Sequence, residues 1–442
     1  VKLVARAGAP ALLVIRGARV LDPGVGLDAL LDVVVRDGVV AGLGVGLVAP
    51  QGAEEIDATG LTALPAFVDP HVHLRTPGQE YKEDLETGTR AAAAGGYCQV
   101  LAMPNTVPTI DSRSVLESLF ERGEQGCAIP TGFLAAISVG LAGAQLTDMY
   151  ELAACGAAGF TDDGRPVERA GLLRRAFQYA RPIGLPIALH EEDLTLSRGG
   201  HMHEGAVSAE LGLGGYPAIA ESAMVARDLA IARYEDARVH LQHLSTRWSL
   251  EEVARARAAG VRVTCEATPH HLLLTHEAVR SLHANAKMNP PLASEDDRQA
   301  LIAAVRDGVA DCIATDHAPH AFEEKDAPFE QAPNGVTGLE TAFAAIHGGL
   351  VLPGVLALET VLRAMTVAPA RAFGLVEPTI AVGAPANLAL WDLADRHVVT
   401  ADGFQSRSAN SAFLGCEVVG RCHLTIAAGQ VAWRLVPVGA TR

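Results

Sequence analysis

Leu64-Pro65-Ala66-Phe67-Val68-Asp69-Pro70-His71-Val72-His73-Leu74-Arg75-Thr76-Pro77-Gly78 is the stretch from which the rest of the chain is read. An apolar run of strand length ends in Asp69-Pro70, and His71 and His73 follow with one valine between them. Side chains at i and i+2 of an extended strand share a face, so the two imidazoles converge on one point. That is the geometry of a metal-ligand pair. Two polar groups at a strand end can also simply face water, so the choice rests on what the other strands carry.

At 442 residues the chain exceeds what one core usually serves, and one large domain with a smaller companion is expected. With 49% hydrophobic and 19% charged residues it has an ordinary soluble composition. A formal net charge of -16 without clustered Lys and Arg argues against a nucleic-acid partner and leaves a small-molecule substrate. Seven cysteines without a Cys-x-x-Cys pair read as reduced core thiols of a cytoplasmic protein. Arg6, Arg16 and Arg19 interrupt the apolar opening, which reads as a strand and not as a signal peptide. No run is long and apolar enough to span a bilayer, so no membrane partner is expected.

Residues 1–62 hold short β-rich runs divided by Gly and Pro, and a similar texture returns in 376–442. Both ends are therefore expected to form one small β-sandwich domain. Between them, in 63–375, strand-length apolar runs alternate with helix-length segments, the signature of βα units on a parallel sheet. Strands are predicted near 64–71, 97–103, 129–137, 158–161, 186–190, 238–243, 261–266 and 311–316. A helix is predicted over 249–259, with Ser249 and Glu252 as its capping box and Gly260 as its stop. Ser294 similarly precedes the acidic turn Glu295-Asp296-Asp297. Eight such units favour an α/β fold of the (β/α)8 TIM-barrel type.

Those strands end, in order, in His71/His73, Asn105, Ser138, Asp162-Asp163, His190, His243, Glu266 and Asp316. In a barrel all these ends open onto one face. His71, His73, His190 and His243 with Asp163 and Asp316 would then share a pocket, and this donor mixture suits zinc or a similar divalent ion. Six ligands exceed the needs of one open four-coordinate site, so two metals are expected. Hydrolysis fits such a site, because a bound cation makes water acidic enough to act near neutral pH. Asp316 is placed to serve as general base. Arg75, leaving the strand two residues beyond His73, can offer a planar cation to a substrate carboxylate.

Several motifs then stand together: His71-Val-His73-Leu-Arg75-Thr-Pro-Gly, Met103-Pro-Asn105-Thr, Phe160-Thr-Asp-Asp163-Gly, Ala188-Leu-His190-Glu-Glu, Thr268-Pro-His-His271-Leu, Asn289-Pro-Pro and Thr315-Asp316-His-Ala-Pro-His320. From about residue 10 to the C-terminus the chain resembles class I dihydroorotases of the amidohydrolase superfamily. The resemblance implies the reversible cyclisation of N-carbamoyl-L-aspartate to L-dihydroorotate and water in pyrimidine biosynthesis. It implies two Zn2+ ions per subunit held by His71, His73, Asp163, His190, His243 and Asp316. It also implies Asp316 as the catalytic group, and substrate contacts from His73, Arg75, Asn105, Asn289, His320 and the Asn334-Gly335 backbone. A homo-oligomer is implied too, and association with aspartate transcarbamoylase is left open. Ring closure consumes a proton, so lower pH is expected to favour it.

Many amidohydrolases bridge their metals with a carboxylated lysine near the fourth strand. Here the only lysines are Lys2, Lys82, Lys287 and Lys325, so the bridge falls to Asp163 with a hydroxide, and Asp162 is expected to stand behind it. The rivals are a cyclic amidase of the dihydropyrimidinase or hydantoinase kind, whose neutral ring has no use for Arg75 and Asn105, and a non-catalytic homologue scaffolding aspartate transcarbamoylase. His201-Met202-His203 reads as a loop feature, and His270, His271 and His317 as packing groups. Residues 321–335 are expected to cover the barrel mouth.

Overall fold

The computed structural model describes residues 1–435; residues 436–442, the end of the expected terminal β unit, lie outside the described residues. The chain opens with β1 (Leu13–Asp22), β2 (Leu27–Arg36), β3 (Val39–Gly44), β4 (Glu54–Asp57) and β5 (Thr62–Pro65). Asp37 and Gly38, at φ 53° and 75°, make the tight turn between β2 and β3. Asp-Gly is the pair such a hairpin asks for, because both central residues are left-handed. Strand β5 runs through Ala66 into β6 (Phe67–Val72), so the quoted stretch passes directly from the terminal sheet into the barrel.

The barrel continues with β7 (Tyr97–Ala102), β8 (Thr131–Phe133) and β9 (Ile187–Leu189). Two short strands, β10 (Met202–His203) and β11 (Gly215–Tyr216), pair with each other. Then come β12 (Arg238–Leu241), β13 (Arg262–Ala267) and β14 (Cys312–Ile313). Strands β6, β7 and β8 pair in parallel, as do β9, β12, β13 and β14. Phe160 bridges Ala135 on one side and Ile187 on the other, and a parallel bridge from Val72 to His317 joins the last strand to the first. The circuit of eight parallel segments therefore closes, with its fourth member reduced to single bridges at Phe160. Strands β6 and β7 are buried along their whole length, as expected for strands covered on both faces.

One outer helix follows each barrel segment: Leu85–Ala94, Arg113–Gly126, Met149–Cys155, Ala170–Ile183, Ile219–Glu235, Arg247–Ala258, Glu295–Asp307 and Leu358–Met365. Ser294 caps its helix ahead of the expected acidic turn, and Asp297 closes a capping box there. The helix expected at 249 instead begins at Arg247 under an N-cap from Thr246. Tertiary contact decides this, because Glu221 of the preceding helix accepts both the backbone N–H and the hydroxyl of Thr246. Ser249 lies buried inside the first turn, and Glu252 pairs with Arg255.

The chain closes with β15 (Leu388–Val398), β16 (Glu417–Ala427) and β17 (Gln430–Arg434). These join the N-terminal strands in one sheet of order β17-β16-β15-β5-β1-β2-β3, with β4 beside β1. The sheet curls until its far edge meets the approach to β15: Val40 N donates to Ala384 O (2.9 Å) and Gly383 N to Val40 O (2.8 Å). Ile15, Val33, Val35, Leu388, Leu390 and Ile426 fill a single apolar cluster inside that curl. The two layers of the expected sandwich are thus the two wings of one continuous sheet. Trp391 of β15 seals the sheet to the barrel, with ring centroids 5.8 Å from Phe67 and 4.6 Å from Phe343. Backbones approach so closely there that a Cβ on Gly95 would lie 2.1 Å from Leu339 O.

Candidate active site

The strand ends bring their polar side chains to one mouth. His71 Nε2 stands 3.5 Å from Asp163 Oδ1 and 3.4 Å from Asp316 Oδ1. His73 Nε2 lies 3.0 Å from Asp316 Oδ1, and His243 Nε2 3.6 Å from Asp163 Oδ1. Two overlapping triads can each hold a metal ion: His71, Asp163 and His243, and His71, His73 and Asp316, their ligand atoms within 4.8 Å of one another. His190 adjoins them, its Nδ1 3.0 Å from His243 Nε2 and 3.9 Å from Asp163 Oδ1. His243 and Asp316 sit at φ 32° and 46°, a left-handed backbone uncommon for such residues, and Arg75 likewise at 55°. Strain of this kind gathers where a site dictates side-chain direction.

The donor set has the character of a cation site. His71 Nδ1–H donates to Glu266 Oε1 at 2.6 Å, which leaves Nε2 buried without a hydrogen-bond partner. A carboxylate behind a histidine is how proteins aim the other ring nitrogen at a metal. Burial disfavours charge throughout, yet Glu266, Asp163 and Asp316 together raise the His71 pKa well above the imidazole value. For Asp316 the facing imidazoles, His71 first, outweigh burial and hold the carboxyl near about 2; Asp163 is held well below the usual range. A site that raises the pKa of His71 and His190 and lowers those of Asp163 and Asp316 is asking for positive charge.

A cavity of about 190 Å³ opens above the cluster, lined by His73, Arg75, Asn105, Asp163, His190, His243, Asn289, Asp316, His320, Asn334 and Gly335 among others, and by no lysine. Arg75 is buried, and its guanidinium meets Pro319 O (3.1 Å) and His320 Nε2 (3.5 Å) but no carboxylate among the described residues. His320 Nε2 lies 2.8 Å from Asn334 O, and burial followed by Arg75 lowers its pKa to about 3, keeping the ring neutral. Asn105, expected on the substrate, ties His73 Nδ1 (2.9 Å) to Asp163 Oδ2 (3.3 Å). Asn289 donates to Glu192 Oε2 at 2.8 Å, and Glu192 also meets His190 Nε2 at 3.1 Å. Asp162 turns away to accept from Ser138 N at 2.9 Å.

Glu266 and Glu192 were given no role by sequence reasoning. Glu266 also meets His240 Nε2 (3.0 Å) and His243 N (3.1 Å), so it orients neighbours on two strands. Its signal was its place at a strand end; that of Glu192 was its nearness to His190. His201 and His203 lie on the β10–β11 approach, outside the cavity lining. His271 bonds Thr268 Oγ1 and Pro290 O, consistent with packing.

Residues 60–249 match the family model described as Dihydro-orotase-like. A dihydroorotase of Citrifermentans bemidjiense is 46% identical over 422 residues, covering 96% of this chain and 99% of its relative. One from Pelobacter propionicus is 45% identical over 425 residues, with coverage of 96% and 99%. The chain belongs to the dihydroorotase family. Its members are cyclic amide hydrolases of the amidohydrolase superfamily, and they depend on metal. Among solved structures, the L-hydantoinase (dihydropyrimidinase) of Arthrobacter aurescens superposes with a TM-score of 0.86 at 25% identity, covering 96% of this chain and 98% of that one. No helix among the described residues is long and apolar enough to cross a membrane.

Proposed function

We propose that the chain interconverts N-carbamoyl-L-aspartate and L-dihydroorotate at a two-zinc centre held by His71, His73, Asp163, His190, His243 and Asp316. The observation that carries the substrate is Arg75: a buried guanidinium with no carboxylate partner among the described residues leaves its fork for one brought by the substrate. The dihydroorotate ring bears such a carboxylate, whereas a plain hydantoin does not. Support for metal comes from the orphaned Nε2 of His71, aimed at two carboxylates. When bound, divalent ions supply positive charge that polarises a carbonyl and acidifies water.

The chain's own groups do the rest. Arg75 and His320 hold the carboxylate at one end of the cavity, with Asn334 and Gly335 closing beside them. Asn289 lines the cavity beside His190. Asp316, ionised at neutral pH, takes a proton from the attacking water and returns it to the departing ring nitrogen. Asn105 fixes the ring of His73 beside it. In the closing direction a carboxylate and a proton are consumed, so falling pH drives cyclisation.

Measuring bound metal together with turnover of L-dihydroorotate and of an uncharged hydantoin tests the proposal. Expected are about two zinc ions per chain, since six protein ligands exceed the needs of one open four-coordinate site, and clear preference for the charged ring. Preference for the uncharged ring would overturn the substrate and favour a hydantoinase, the activity named for the similar fold. A homo-oligomer in the cytoplasm, with or without aspartate transcarbamoylase, belongs to the same proposal. Sedimentation of the chain alone and mixed with that enzyme tests it.

A further inference from the structure

The end of the cavity that holds Arg75 and His320 is built from irregular backbone. Residues 318–320 and 334–337 meet there, joined by the bridge of Ala318 N to Val336 O at 2.8 Å. Their contact is tight: Gly335 stands at φ 115°, and a Cβ on it would lie 2.6 Å from Ala318 Cβ. Buried loop backbone needs partners for its N–H and C=O groups, and here three of them come from one side chain. Asn410 Oδ1 accepts from His320 N at 3.1 Å, while Nδ2 donates to Ala318 O and to Gly335 O, each at 3.2 Å. Its own carbonyl accepts from Thr337 N at 3.2 Å. The side chain is buried, and a planar amide supplies donor and acceptor at once, as this gap requires.

The segment bearing Asn410 is itself fastened. Glu340 accepts from Gln405 N at 2.8 Å and Ser406 N at 3.1 Å, and Glu83 from Arg407 N at 3.3 Å. Ser408 Oγ donates to Lys82 O at 2.7 Å. Glu83 and Lys82 follow Arg75 in the chain, so one stretch from between β15 and β16 braces the backbone on both sides of the Arg75–His320 pair.

We propose that Asn410 is a positioning residue for the substrate carboxylate: its amide holds His320 and Gly335 in register against Arg75. The inference rests on the substrate reading above. It acts on binding more than on chemistry, because Asn410 touches none of the clustered histidines or aspartates.

The test compares the full-length wild type with Asn410→Ala and Asn410→Asp. Loss of the amide strands three buried backbone groups, so Asn410→Ala should raise KM for L-dihydroorotate by about tenfold or more while kcat changes less than about threefold. Metal content should stay at the wild-type level. Trypsin cleavage after Lys325, a buried residue whose ammonium donates to Ala284 O and Pro333 O, should quicken by about tenfold as the loop loosens. Asn410→Asp keeps the acceptor for His320 N but sets an oxygen against the carbonyls of Ala318 and Gly335; it should also raise KM with metal content unchanged, and it decides the matter if the alanine variant does not fold. Lower kcat at unchanged KM, or cleavage no faster than wild type, would overturn the inference. If the wild type fails to turn over dihydroorotate, the substrate reading falls, and cleavage at Lys325 still reports whether Asn410 holds the loop.

Discussion

His71 is the residue on which both triads depend, and Glu266 decides how it stands. The carboxylate engages Nδ1 and so turns Nε2 toward Asp163 and Asp316. Replacing Glu266 by Gln keeps the shape but removes that charge, and metal affinity should fall by about 10- to 100-fold, read as metal retained during dialysis against a graded chelator. Asp163→Ala removes a group that faces His71, His73 and His243 together, so metal and turnover should be lost in the same preparation. Full activity in that variant would remove Asp163 from the site. The clustering of the histidines was readable because each ends a strand and strands have a simple period. The bond from Glu266 to His71 spans 195 positions between strands with no common pattern, and nothing local announces it. Asn105 shows the same limit: its place at a strand end was legible, but not that its amide would also meet His73 and Asp163.

Elements were legible where their own pattern was strong and misread where a neighbour overruled it. Buried parallel strands write continuous apolar runs, and all eight barrel segments fall within the predicted stretches or within a residue or two of them. The helix Arg247–Ala258 is the counter-example: Ser249 and Glu252 have the spacing of a capping box, yet Thr246 caps because Glu221 holds it. Thr246→Ala should therefore destabilise the protein by about 1–2 kcal/mol, as lost caps do. Ser249→Ala should cost less, since its hydroxyl bonds Thr246 Oγ1 and caps nothing. Urea unfolding of both variants under one set of conditions measures the order. The reverse order would restore Ser249 as the cap. Because Glu221 also grips Ser245, two residues beyond His243, this helix start is part of how the sixth strand presents His243 to the cluster.

On the scale of the whole molecule, the β-rich texture at both ends foretold that they would meet. That they would form one curled sheet, and that the stretch after β15 would reach the barrel mouth, is carried by irregular backbone and buried acids that have no periodic signature. Glu340 is one of those acids. Burial, followed in effect by N–H bonds from Gln405 and Ser406 that act against it and by repulsion from Glu83, leaves its pKa raised to about 7. An acid whose folded pKa lies above its unfolded value favours the fold only in its protonated form. Below about pH 4.5 both states are protonated and nothing is lost; between there and about pH 7 the unfolded chain ionises first, and stability declines as pH rises. The full penalty is of the order of 3 kcal/mol. Glu340→Gln cannot ionise, so across that window its stability relative to wild type should improve by about that amount, even if the amide makes poorer bonds to Gln405 and Ser406. Urea midpoints of both proteins at pH 5 and pH 7.5 provide the comparison, and taking their difference cancels other titrating groups, including those at the barrel mouth. A constant difference between the two proteins would mean that Glu340 is ionised throughout, and that the barrel and the terminal sheet meet across a more polar seam than its burial indicates.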